Sequence, residues 1–120
     1  MFIFEKLEVY QKAVAFADRV SQLTTDFPRG QWYLTDQFNR ASLSISLNIA
    51  EGNGRWSQAE RRHFFSIARG SVHECVPIID LCHRKNLLDE SACMELKETF
   101  VALAKMLAGL IKRATTPDKK

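Results

Sequence analysis

Apolar residues recur at helical spacing through most of the chain. From about Glu5 to Thr25, Val9, Ala13, Phe16, Val20 and Leu23 advance in alternating steps of four and three, which gathers them on one helix face. Tyr10, Val14 and Ala17 widen that stripe, and Phe27-Pro28-Arg29-Gly30 ends it. From about Gln58 to Lys85 the same rhythm runs through Phe65, Ala68, Val72, Cys75, Ile79 and Cys82. Pro77 lies inside this stretch and predicts a kink, since proline removes a backbone donor and crowds the carbonyl of His73. Asn86-Leu87 reads as a helix stop and Asp89 as the next cap. From about Glu90 to Ala114, Cys93, Leu96, Phe100, Leu103, Leu107 and Leu110 form a heptad stripe, with Val101, Ala104, Ala108 and Ile111 beside it.

The stretch from about Gln31 to Glu51 is ambiguous. Ser42 to Ile49 alternates polar and apolar residues, which by period alone reads as a half-buried strand. Its flanks carry no turn signal, and a lone strand among helices would have no partner for its backbone groups. We therefore predict a helix that is apolar on two sides, with Phe38, Ala41 and Ile45 on one and Leu43, Leu47 and Ala50 on the other. Gly52-Asn53-Gly54 is expected to end it through left-handed glycine geometry. Ser57-Gln58-Ala59-Glu60 opens the next helix with a capping-box pattern.

Four amphipathic helices joined by short turns predict an all-α fold, one four-helix bundle over residues 1–114 with a disordered basic tail at 115–120. The 120-residue length suits one domain, and only 5 glycines and 3 prolines leave few places to turn. Two-sided helices carry more apolar surface than one small bundle hides, so a homo-oligomer is expected, with Val101 and Ile111 contributing to its interface. Three cysteines, Cys75, Cys82 and Cys93, form no pairing pattern, and the opening Met1–Lys6 meets charge too early for a signal peptide or membrane span. The expected compartment is the reducing cytoplasm.

Charge changes the picture modestly. There are 17 Lys and Arg against 14 Asp and Glu, a net charge of +3 that permits nucleic-acid binding without demanding it. Arg55, Arg61, Arg62 and Arg69 cluster around the start of the third helix with Trp56 and His63 among them. Arginines grip phosphates and an exposed ring stacks on a base. The plainer reading is a solvated helix start with Trp56 in an interface. Cations at a helix N-terminus oppose its dipole, so Arg61 and Arg62 read as placed against local stability, which should rise slightly if they are removed. Asn48, Glu51 and Arg55, spaced by three and four residues around Gly52, predict either a polar site or a hydrogen-bonded turn network in which Glu51 pairs with Arg55 or Arg69. His73, Cys75, Cys82 and His83 lack metal-ligand spacing and an orienting partner for a nucleophile, so buried packing is expected for the thiols. We expect no catalytic residues, no metal and no cofactor.

Three blocks together resemble a known family: Phe4-Glu5-Lys6-Leu7-Glu8-Val9-Tyr10-Gln11-Lys12-Ala13, Asn48-Ile49-Ala50-Glu51-Gly52-Asn53-Gly54-Arg55, and Ile67-Ala68-Arg69-Gly70-Ser71-Val72-His73-Glu74. This is similar to the bacterial four-helix-bundle proteins encoded in intervening sequences of large-subunit ribosomal RNA genes, over about Phe4 to Ala114. The resemblance implies an up-down-up-down bundle, a homopentamer, RNA or DNA contact and no enzymatic activity. A more distant likeness, to the accessory protein of diversity-generating retroelements, implies a scaffold that docks a partner enzyme such as a reverse transcriptase. Many members carry two adjacent arginines where this chain has Asn39-Arg40, one basic group fewer. Arg40 joins Arg55, Trp56, Arg61, Arg62 and Arg69 as the candidate nucleic-acid-binding set, with Lys112, Arg113 and the tail as the alternative site.

Overall fold

Ser42 to Ile49 is helical throughout, inside an unbroken helix from Trp32 to Asn53. In the computed structural model, which describes Glu5 and residues 7–115, four α-helices follow one another: α1 (Glu8–Thr24), α2 (Trp32–Asn53), α3 (Gln58–Arg84) and α4 (Glu90–Thr115). A short 3-10 turn at Arg29–Gln31 leads into α2. The expected tail lies outside the described residues beyond Thr115, which itself closes α4. Among the described residues there is no strand, and no helix is long and apolar enough to cross a membrane.

Serine explains how a strand-like pattern makes a helix. Ser42 and Ser46 are buried, and their hydroxyls donate to the helix's own carbonyls, Asn39 O at 3.1 Å and Leu43 O at 3.2 Å. Ser44 accepts from Ser71 of α3 at 2.9 Å. A hydroxyl satisfied within its own helix can occupy a packed position without an unpaired polar group. The polar half of the alternation therefore faces neighbouring helices. The Phe38, Ala41 and Ile45 side lies in the core, whereas Leu43 and Leu47 on the other side are 50% and 56% exposed.

α2 packs on α1 and α3, and α4 packs on α3 and α1. The core they enclose includes Phe16 and Val20 of α1, Phe38, Ile45 and Ile49 of α2, Phe65, Val72 and Ile79 of α3, and Leu96, Leu103 and Leu107 of α4. Each fully buried aliphatic or aromatic side chain contributes about 1.5–3 kcal/mol relative to exposure. Polar pairs tie the edges: Asn39 Nδ2 donates to Thr24 Oγ1 at 2.9 Å, and Arg19 grips Glu95 through two bonds of 2.7 and 3.1 Å. The second pair is exposed and adds little stability.

The helix ends have distinct chemistry. Ser57 Oγ accepts from the Glu60 amide at 3.0 Å, and Asp89 Oδ1 accepts from the Ala92 amide at 2.8 Å. Asn86 takes the left-handed conformation at φ 59° and stops α3, with the Leu87 amide returning to Cys82 O at 2.9 Å. α3 continues across Pro77, which is exposed, so the carbonyl of His73 that loses its helical donor lies on the water side.

The Gly52 expectation is overturned. Gly52 lies inside α2, no described glycine has a positive φ, and Gly54 caps the helix in right-handed geometry at φ −83°. Glycine is needed at 52 because a Cβ there would lie 2.5 Å from Phe65 Cε1. The residue marks a close approach of α2 to α3.

All three thiols are buried and unpaired. Burial pushes the Cys75 thiol up to about 12, with the nearby Glu74 charge adding to it, and Cys82 up to about 11, with Cys93 adding to it. The folded chain thus holds these protons above the ordinary value of 9.0 while the unfolded chain releases them. Their stabilising contribution is complete below pH 9 and is lost as pH rises towards the folded values, so stability should fall between about pH 9 and 12. Thiol alkylation should accordingly be slow in native protein at neutral pH and fast in denaturant, which mass spectrometry reads directly.

Candidate nucleic-acid interface

The turn from α2 to α3 occupies 54–57 and sits at the end of the bundle where α4 also finishes. It is held by backbone bonds from Gly54 N to Ala50 O and from Arg55 N to Gly52 O, and by the Ser57 cap. Trp56 stands on this short, hydrogen-bonded turn with its side chain 99% exposed. Arg55 lies beside it, its guanidinium 4.7 Å from the Phe64 ring centre and its Nη2 2.8 Å from Glu51 Oε2.

Arg61 and Arg62 stand at the start of α3 as the sequence implied, but each also meets the carbonyl end of another helix. Arg61 Nη1 reaches back to Asn53 O at 3.4 Å and Arg55 O at 3.5 Å, long contacts at the carbonyl end of α2. Arg62 Nη1 donates to Ala114 O at 3.2 Å, in the last turn of α4. Each cation therefore meets the negative end of a neighbouring helix, where it is favourable by up to about 1 kcal/mol. The expected gain in stability on removing them reverses: Arg61→Ala with Arg62→Ala should lower the unfolding free energy by about 1–2 kcal/mol in urea titration. An unchanged or higher midpoint would show that these contacts hold nothing.

A groove of about 380 Å³ opens next to Trp56. Phe65, Leu110 and Ala114 form its apolar part, and Gln58, Arg61 and Arg113 its polar part. Among the described residues neither Arg61 nor Arg113 is ion-paired, unlike Arg55. Arg113, which the sequence placed with Lys112 and the tail in an alternative site, belongs to the same groove as Arg61. It stands 52 residues beyond Arg61, and only the packing of α4 against α3 unites them. Its signal in the sequence was a basic pair, Lys112-Arg113, in a final helical turn, which the helix dipole alone accounts for.

The other candidates lie apart. Arg40 is on the exposed side of α2, 3.7 Å from Asp36 and about 20 Å along the axis from the turn. Arg69 is about 16 Å along α3 from its start, in a separate hollow with Ser66, His73 and Ile111. The turn network is divided as well. Glu51 and Arg55 pair with each other, but Asn48 donates to Ser44 O at 2.8 Å and Ser44 Oγ at 3.0 Å, joining the Ser44–Ser71 contact between helices. Among the described residues no group of three or more His, Cys, Asp or Glu could hold a metal ion.

Residues 5–109 match the family described as 23S rRNA-intervening sequence protein. No curated protein matches the chain. A crystal structure of a protein with unknown function from the S23 ribosomal protein family of Bacteroides thetaiotaomicron VPI-5482 superposes with a TM-score of 0.80. The match covers 87% of this chain and 95% of that one at 24% identity, a likeness of fold.

Proposed function

We propose, since this chain belongs to the 23S rRNA-intervening sequence protein family, that it is a non-enzymatic, oligomeric four-helix bundle that binds RNA or DNA through its arginine-rich end. The observation that carries this reading is the convergence of Arg61 of α3 and Arg113 of α4 at the groove beside the exposed Trp56, with Arg55 on the same turn and Arg62 at the end of α4. Four guanidinium groups at one end of a small bundle concentrate positive field where a phosphate backbone can meet it. Repetition around a homopentamer multiplies a modest patch into useful avidity. An up-down-up-down arrangement is supported by cross-helix pairs that run in opposite senses, Ser44 with Ser71 and then Gly52 against Phe65, and on the other side Asp80 with Lys97 and then Arg62 with Ala114. The three free cysteines accord with the reducing cytoplasm.

The test is RNA and DNA binding at two salt concentrations, with the mass of the assembly measured alongside. Affinity should fall steeply with salt and depend little on sequence. Arg55→Ala with Arg113→Ala should weaken binding to all sequences and flatten the salt slope by about one unit for each phosphate no longer neutralised. Absence of binding at low salt would remove this reading in favour of a scaffold that docks a partner enzyme. The exposed Leu43 and Leu47 face favours that second reading as much as it favours self-assembly.

A further inference from the structure

We infer that the groove beside Trp56 is a seat for one unpaired nucleotide of a single-stranded nucleic acid, its base stacked on the Trp56 ring and its phosphate held between Arg61 and Arg113. This rests on the arginine-rich end being a nucleic-acid surface, and it adds which strand state that surface takes.

Three features of the site converge on it. The first is the ring. An indole that is 99% exposed gains nothing from the fold, and this one is raised on a turn fixed by its own backbone bonds and a helix cap. Exposed aromatic faces are platforms for bases, and stacking tolerates any base because each has a π-face. In a duplex those faces are already covered by neighbouring bases, so a stacking platform discriminates by strandedness.

The second is the groove. Its volume of about 380 Å³ lies near the lower bound for small-ligand sites, the scale of a single nucleotide. The nearly buried Phe65 and Leu110 form its floor while Gln58 and the two arginines supply donors, a mixture that suits a sugar and phosphate next to a stacked base.

The third is unsatisfied charge. Arg61 reaches carbonyl oxygens through Nη1, which leaves other N–H donors of its guanidinium for a ligand, and no carboxylate among the described residues pairs with Arg113. Gln58 is the first residue of α3, so the positive end of that helix dipole adds to the same field. Guanidinium pairs of this kind hold phosphate by charge-assisted bonds.

The experiment uses the full chain with Trp32→Phe, which leaves Trp56 as the sole tryptophan. A short single-stranded oligonucleotide, a duplex of the same sequence and a nucleoside monophosphate are titrated at low salt. The single strand should quench Trp56 emission and bind at least about tenfold more tightly than the duplex. Trp56→Ala should abolish that preference while leaving helicity unchanged, and Trp56→Phe should retain part of it. Equal affinity for single strand and duplex with unchanged Trp56 emission would overturn the seat while leaving the arginine surface standing. A monophosphate binding as tightly as the oligonucleotide would make this a free-nucleotide site and overturn the single-strand assignment. No binding of any of the three would remove both the seat and the surface.

Discussion

Gly52→Ala is expected to destabilise the protein, although the same exchange in most helix interiors stabilises it. Alanine is the better helix former by about 1 kcal/mol. Against that, the new Cβ would stand 2.5 Å from Cε1 and 2.7 Å from Cδ1 of Phe65. That ring is 1% exposed and cannot swing aside into water. Overpacking of this kind costs about 1–3 kcal/mol and outweighs the propensity gain. Gly52→Val adds two methyl groups to the same clash and should lose at least about 3 kcal/mol, or fail to fold. Gly70 supplies the control. A Cβ there meets nothing within 4 Å, so Gly70→Ala should stabilise by up to about 1 kcal/mol. Urea midpoints for the three variants decide the matter. Phe65→Leu in the Gly52→Ala background should recover part of the loss, with a coupling of about 0.5–3 kcal/mol. If Gly52→Ala and Gly70→Ala behave alike, the helix approach at Gly52 is not tight.

The second large effect concerns assembly. Leu47→Asp should leave the chain helical and break the proposed oligomer into monomers, read by light scattering or sedimentation. Within one chain Leu47 is 56% exposed, so a carboxylate there meets water and should change stability by no more than about 0.5 kcal/mol. In an interface the same carboxylate would be buried without a partner, at a cost of several kcal/mol per subunit. Val101→Asp poses the same question of α4, whose Val101 is also exposed in the single chain. A native protein that is monomeric at micromolar concentration would end this reading. A Leu47→Asp oligomer of unchanged mass would move the interface to another face.

How far these features were legible in the sequence depended on how local their causes are. Stops and caps written by two or three neighbouring residues, such as Ser57 with Glu60 and Asn86 with Asp89, could be read directly. The α2 helix could be read only by excluding a strand, because a serine bonded to its own helix carbonyl has the same letter as one facing water. Gly52 was placed at the right boundary for the wrong reason: glycine serves both left-handed turns and close helix approaches, and only the position of Phe65 tells them apart. Arg61 and Arg62 were misread because their partners, Asn53 and Ala114, belong to other helices, and the sequence shows the dipole of the helix they sit on before the dipoles of the helices they touch. Arg113 was read as part of a separate alternative site for the same reason, being brought to the groove of Arg61 by helix packing alone.

The contacts of Arg61 and Arg62 with the carbonyl ends of α2 and α4 bear on the entropy of recognition. A free arginine side chain surrenders roughly 2 kcal/mol of rotamer freedom when it is fixed on a ligand. Here one nitrogen of each guanidinium is already engaged with a helix end, so much of that freedom was lost when the bundle folded. A ligand arriving at this end meets donors that are already aimed. Affinity can then rise without further charge, which is the means available to a chain whose net charge is only +3. The same fixing would give the proposed interaction a thermodynamic signature: in calorimetry Arg113→Ala should relieve more unfavourable binding entropy than Arg61→Ala.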